Sequence, residues 1–246
     1  MPEVNNDFYS DLGDRWFEGD DHAIALLRVE SVVKIDYTLQ TLAALGIAPG
    51  ARVLDVACGA GLVALPVAEA GYRVHGVDTA AGAIATAQAR TPENVPATFA
   101  VGDAYALDAE DDSMDAVLLL DMLEHVDRPA DVIAEAARVV RPGGAVVFHT
   151  FNQTPLAWLL AIHGFRFVVR DVPDHVHVYR LFIPPADLAR MHADVGLGVR
   201  EILGVRPRLD RPFWRSVLRR RVDPAFRFVI SGPPWVGYIG HAVRGG

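Results

Sequence analysis

Apolar side chains recur at helical spacing from Asp21 to Leu45, where Gly46 and then Pro49-Gly50 stop the repeat. Short apolar runs separated by helical stretches follow. Arg52 to Ala57 (RVLDVA) reads as a buried strand feeding a glycine loop, Gly61 to Ala70 as a helix, and Tyr72 to Asp78 as a second strand. Next come a helix over Ala80–Arg90, a strand over Ala97–Val101 and the continuous apolar strand Met114–Leu120. A helix over Pro129–Val140 and a strand over Ala145–Thr150 complete this part. Such alternation predicts an α/β fold, with a parallel sheet, right-handed crossovers and helices on both faces.

After Thr150 the alternation lapses. Thr154–Val169 and Pro185–Val195 carry helical patterns, and late strands are predicted over Gly198–Gly204 and Ala225–Ala242, the second interrupted at Gly232-Pro233-Pro234. We read these as an antiparallel edge to the sheet plus an insertion over about residues 152–184. Residues 1–246 then form a single domain, in which the helices of 1–46 precede the sheet.

Composition narrows the chemistry. Hydrophobic residues make up 51% and charged residues 22%, a globular balance. A net charge of -8 argues against nucleic acid as a partner, because phosphate neutralisation needs clustered Lys and Arg. The single cysteine, Cys58, excludes an internal disulfide framework and a multi-cysteine metal site, and suits a reducing cytoplasm. Met1–Asp14 has no basic start and no apolar run, so no signal peptide is expected. Pro142–Phe165 lacks acidic and basic residues, but Pro142-Gly143-Gly144, Asn152, Gln153 and His163 interrupt it, so it is not read as a membrane span.

The strand-to-helix turn Asp55-Val56-Ala57-Cys58-Gly59-Ala60-Gly61 places small residues where the backbone must turn tightly and approach a ligand. Gly59-x-Gly61-x-x-Ala64 also satisfies the relaxed dinucleotide fingerprint, which leaves a nicotinamide-cofactor enzyme as a rival. Asp55, two residues before the loop, can meet an ammonium group. Asp78 ends the second strand, where a carboxylate can accept two ribose hydroxyls, and Asp103 follows the third strand within reach of an adenine amino group.

VLDVACGAG, VDTA (Val77–Ala80), GDA (Gly102–Ala104) and Arg141-Pro142-Gly143-Gly144 together resemble the motifs of class I S-adenosylmethionine (SAM)-dependent methyltransferases. The resemblance implies SAM as cofactor and a Rossmann-like, mostly parallel seven-stranded sheet with an antiparallel edge strand. It also implies a cofactor site built from Asp55, Ala57, Gly59, Gly61, Asp78, Thr79, Asp103, Ala104 and Leu120. Ala57 stands where glycine is commonest. Phe8–Glu18, Arg28–Tyr37, Asp121-Met122-Leu123-Glu124-His125-Val126, Val172-Pro173 and Phe182-Ile183-Pro184 are similar to the ubiquinone-pathway O-methyltransferases of the 3-demethylubiquinone type. That similarity implies O-methylation of a phenolic or quinol small molecule and assigns Lys34 to SAM. Methylation of nitrogen or carbon, or a non-catalytic SAM- or lipid-binding module, is the alternative.

Asp121, Glu124 and His125 have the i, i+3, i+4 spacing that shares one face of a helical turn, and they follow the fourth strand at the edge where α/β sheets bind ligands. Three readings follow. The trio holds a divalent cation such as Mg²⁺ that activates a catechol hydroxyl; or His125 acts as a general base with Glu124 beside it; or the residues brace the loop. Cys58 has no basic neighbour and is read as packing.

The stretch Thr154–Phe182 intersperses Trp158, Leu159, Leu160, Ile162, Phe165 and Phe167 with Arg166 and Arg170. It is read as a lid or as a peripheral membrane contact over 154–182, on the inner face of the membrane. Arg215, Arg219, Arg220 and Arg221 form a later basic cluster, read as a solvated loop or an anionic-lipid contact. His177 matches a histidine of the resembled family and is a candidate second base, whereas Val178 stands where that family has aspartate.

Overall fold

The computed structural model describes residues 4–10, 12–230 and 232–245. The first three residues and Asp11, part of the stretch read as lacking a signal peptide, lie outside that set. The segment before the sheet comprises 3₁₀ turns at Asn6–Tyr9 and Gly13–Trp16, then helix α1 (Ala23–Ala44). The sheet region follows as β1 (Arg52–Val56), α2 (Ala64–Glu69), β2 (Arg73–Asp78), α3 (Ala81–Arg90), β3 (Ala97–Val101), β4 (Met114–Leu120), α4 (Pro129–Val139) and β5 (Val140–Phe151). The insertion contains α5 (Pro155–Ala157), a π-helical stretch Trp158–Gly164 and α6 (Phe165–Val168). The chain ends with α7 (Pro185–Asp194), β6 (Leu197–Pro207), α8 (Arg211–Arg219), β7 (Phe228–Ile230) and β8 (Gly237–Arg244).

One sheet takes the order β3-β2-β1-β4-β5-β8-β6-β7. The first five strands are parallel, and β8, β6 and β7 extend the sheet through antiparallel pairs. Eight strands therefore replace the seven expected. The interruption expected at Gly232-Pro233-Pro234 separates the Ala225–Ala242 run into β7 and β8, and Gly232 has φ +60. Proline has no N–H to give to a ladder, so the strand ends there and restarts at Gly237.

The central strands are apolar on both faces because both are covered. Along β4, Ala116, Leu118 and Leu120 join the core beneath α1, α2 and α3. Val117 and Leu119 point the other way, into the core under α4 and α7. Full burial of each of these Val and Leu side chains stabilises by about 1.5–3 kcal/mol. The chain leaves β1 toward β2 and β3 on one side and reaches β4 and β5 on the other. The crevice at the carboxyl ends of β1 and β4 is therefore the switch point where ligands bind in such sheets.

Two elements depart from expectation. β5 begins at Val140 rather than Ala145, and Arg141-Pro142-Gly143-Gly144 forms an irregularity inside it, with Gly143 at φ +76. Helix α8 occupies part of the basic cluster for which the sequence suggests a solvated loop or an anionic-lipid contact. Asp210 caps it by accepting from the Phe213 amide, and Pro212 sits in its first turn. Arg215 pairs there with Asp223, and Arg221 with Asp20 and Asp21. On the insertion, Leu156, Trp158, Leu159, Leu160 and Phe167 are exposed. No helix among the described residues is long and apolar enough to cross a membrane.

Candidate active site

A cavity of about 390 Å³ opens at the switch point. Its floor is the set of turns that leave β1, β2, β3 and β4, and it is lined there by Asp55, Ala57, Gly59, Asp78, Thr79, Asp103, Ala104, Leu120 and Asp121. Ala57 has φ +59, Gly59 φ +55 and Gly61 φ +82, so alternate residues of the Ala57–Gly61 loop adopt the left-handed region. Glycine reaches it without strain, which accounts for glycine being usual where this chain has Ala57. A side chain on Gly59 would meet Trp16 at 2.7 Å. Gly61 does not line the cavity itself, and a Cβ there would press on Phe99 at 3.0 Å.

Asp78 shapes the loop. Its two oxygens accept from the amides of Gly59 and Ala80, each at 2.8 Å, and the carboxylate still borders the cavity. Asp103 accepts from the Tyr105 amide at 2.9 Å. Asp55 is buried, and burial pushes its carboxyl up to about 8, with Asp78 and Asp121 adding to the effect. A carboxyl this unfavourable as an isolated anion is set to receive a cation. Burial, reinforced by Asp55 and Asp78, also pushes the Cys58 thiol well up, which removes it as a nucleophile.

The other end of the cavity is aromatic. His125 and His177 lie with ring centroids 5.4 Å apart, and Tyr9 meets His125 edge-on at 5.8 Å. Phe151 and Phe165 stand 4.9 and 5.7 Å from His177. Burial lowers His125 to about 4, against the opposing pull of Asp121. Burial, helped by His125, lowers His177 to about 3. Both rings are therefore neutral bases in neutral solution.

Asp121, Glu124 and His125 do not share the face that their spacing predicted. Asp121 has φ +55, which breaks the helical path before it starts, and only Leu123–His125 forms a 3₁₀ turn. The Asp121 carboxylate instead bonds to Lys34 and to Nδ1 of His149. Burial alone would raise Asp121, but Lys34 and His149 outweigh it and hold the carboxylate well below its usual range. Glu124 is fully buried, absent from the cavity wall, and donated to by the Thr150 hydroxyl at 2.6 Å. Burial and the nearby Asp121 push its carboxyl up to about 8; its place behind the wall, and not its acidity, separates it from the catalytic acid–base role expected. Among the described residues the donor atoms that do gather are those of Glu124, His125 and His177, and separately those of Glu30, Asp121 and His149.

Lys34 also differs from its expected role. It is fully buried, lies behind the cavity wall rather than on it, and bridges Glu30 at 3.0 Å to Asp121. The two carboxylates outweigh its burial and raise its pKa, so it is a buried cation. Asn6, Tyr9, Trp16, Glu30, Phe151 and His149 escaped the sequence reading as site residues. The first five line the cavity and His149 braces it from behind; Tyr9, Trp16 and Glu30 fall in segments that carry the family likeness but no assigned role, and only the fold brings all six to the loop.

Residues 54–148 match the model of a methyltransferase domain. The chain is 36% identical over 205 residues to a ubiquinone biosynthesis O-methyltransferase of Thiobacillus denitrificans, covering 80% of this chain and 84% of that protein. It is 32% identical to the protein of that name in Xanthomonas axonopodis pv. citri, over 97% of this chain and 92% of the relative. Among solved structures, magnesium protoporphyrin IX methyltransferase from Synechocystis PCC 6803 with bound SAH superposes with a TM-score of 0.67 at 20% identity, covering 97% of both chains.

Proposed function

Because the chain belongs to the ubiquinone biosynthesis O-methyltransferase family and is a SAM-dependent methyltransferase, we propose that it methylates a phenol or catechol oxygen held at the His125–His177 end of the cavity. The observation that carries this reading is an imidazole, His125, on the wall of a cavity whose other end is the acidic glycine loop. SAM fits that loop. Asp55 and Asp78 can take its ammonium and ribose hydroxyls, and the backbone at Ala57 and Gly59 leaves room for close approach. Bound there, SAM supplies an electrophilic methyl carbon.

The acceptor ring would lie among Phe151, Phe165 and His177, with its hydroxyl toward His125. A neutral phenol becomes a strongly acidic oxonium as its oxygen engages the methyl carbon. The proton is then lost easily to a base of pKa about 4, so His125 need not be strong, only neutral and in place.

Mg²⁺ does not fit the residues present. The expected ligand Asp121 is committed to Lys34 and His149. The set that gathers instead, Glu124, His125 and His177, offers one carboxylate and two imidazoles, whereas Mg²⁺ demands oxygen donors. At Val178, where the resembled family has aspartate, the chain adds no further oxygen.

The test is turnover of labelled SAM with a neutral catechol, a simple phenol and an amine, each with and without EDTA, with mass-spectrometric assignment of the methylated atom. The expected product is the O-methyl ether, formed at the same rate with EDTA. Methylation of the amine alone would overturn the oxygen acceptor, and EDTA-sensitive turnover restored by Mg²⁺ would overturn the metal-free reading.

A further inference from the structure

Asn6 belongs to no motif, yet its carboxamide makes two bonds to one residue. Its Nδ2 donates to the main-chain carbonyl of His125 at 3.3 Å, and its Oδ1 lies 3.2 Å from His125 Nδ1. A carbonyl oxygen can only accept, so the NH₂ end of the carboxamide must face it. The amide oxygen is then left against the ring, where it too can only accept, so His125 Nδ1 carries the hydrogen. Burial keeps the ring neutral, and a neutral imidazole has one N–H. Nε2 is therefore the bare nitrogen.

We infer that Asn6 is a positioning residue that fixes His125 as its Nδ1–H tautomer and leaves an Nε2 lone pair for the acceptor hydroxyl. The inference rests on His125 being the base. Without this tie the ring is free to adopt the Nε2–H form, which histidine favours in water and which would put a hydrogen where a lone pair is needed. It is the logic by which an oriented acceptor on one imidazole nitrogen prepares the other for proton transfer.

A contact of the preceding residue holds the same turn in place. Asn6 opens the first 3₁₀ turn, and the preceding residue, Asn5, donates its amide to the carbonyl of His175 at 2.9 Å, two residues before His177. The N-terminal strap thus spans the gap between the His125 turn and the segment carrying His177.

Nitrogen-15 spectroscopy of histidine-labelled full-length enzyme reads the tautomer without catalysis, with His125 assigned by comparison with His125→Gln. The expected pattern is Nδ1–H in the parent and a shift toward Nε2–H in Asn6→Ala. Asn6→Ala should lose on the order of tenfold in kcat, less than removal of the ring, with SAM affinity retained. Asn6→Asp should keep the Nδ1–H tautomer and, by adding an anion, move the acid limb of the kcat/KM profile to higher pH. An Nε2–H parent, or an Asn6→Ala enzyme with unchanged tautomer, overturns the proposal. So does equal loss in both variants with an unmoved pH profile, which is what a purely mechanical strap would give. Full turnover by His125→Ala would instead overturn the base reading, whatever tautomer the spectra show.

Discussion

Replacing Lys34 by methionine is expected to lower the free energy of unfolding by about 3–5 kcal/mol, the range for breaking a buried ion pair from one side. Lys34 is the cation between Glu30 and Asp121, and both carboxylates are held at the inner wall of the cavity with His149 alongside. Methionine fills most of the volume, so the loss is one of charge rather than packing. The sign of the pH dependence distinguishes the two. In the parent, Lys34 and His149 depress Asp121 below its ordinary value, so its contribution is present above about pH 4 and is lost as pH falls below that. In the variant, burial acts on Asp121 without Lys34 to offset it, which raises the folded-state pKa. The variant should then regain stability relative to the parent as the medium is acidified toward pH 4. Urea midpoints at pH 7 and pH 5 measure this. A deficit below 1 kcal/mol at pH 7, or one that grows on acidification, would mean that the cluster is not an ion-pair network. Lys34→Met/Asp121→Asn should recover part of the loss, because it removes the stranded anion together with the cation.

The second large effect concerns His125. His125→Ala is expected to lower kcat by about 10²–10⁴-fold, the usual contribution of a positioned acid–base group, with little change in SAM affinity. The pH profile of the parent carries the sharper statement. An ordinary histidine with a pKa of about 6.5 would be only about 3% neutral at pH 5, costing roughly 30-fold in kcat/KM. Burial lowers His125 to about 4, so the base stays deprotonated and kcat/KM should be nearly flat from pH 8 to pH 5. A profile breaking near pH 6.5 would show that the base is either a different group or a ring more hydrated than the cavity implies.

The parts of this site that lie along one strand–turn–helix segment are legible in the sequence. Val53–Gly61 announces itself because a buried parallel strand must be continuously apolar and the turn after it needs residues that tolerate positive φ. Asp78 and Asp103 follow because one ends β2 and the other comes just after β3 of the same sheet. The residues after β4 defeat the same reasoning. Helical spacing put Asp121, Glu124 and His125 on one face, but a left-handed residue at Asp121 turns its carboxylate toward Lys34, 87 positions away, and His149, 28 positions away. Nothing in the spacing of DMLEHV encodes those two partners. Asn6, Tyr9 and Trp16 are silent for a related reason: their turns are short, and they are fixed by contact with the loop rather than by their own periodicity. Helix α8 could have been found, since Asp210 and Pro212 are ordinary start signals, but its arginines drew the reading toward a loop.

The most direct test of the account is a crystal structure of the enzyme with SAH and a neutral catechol. SAH should lie along the Asp55–Gly61 loop with its ribose at Asp78, and one catechol oxygen should sit within hydrogen-bond reach of His125 Nε2, facing the sulfur. A catechol bound away from His125, or a metal ion bridging it to Glu124 and His177, would contradict the assignment of His125 as a metal-free base.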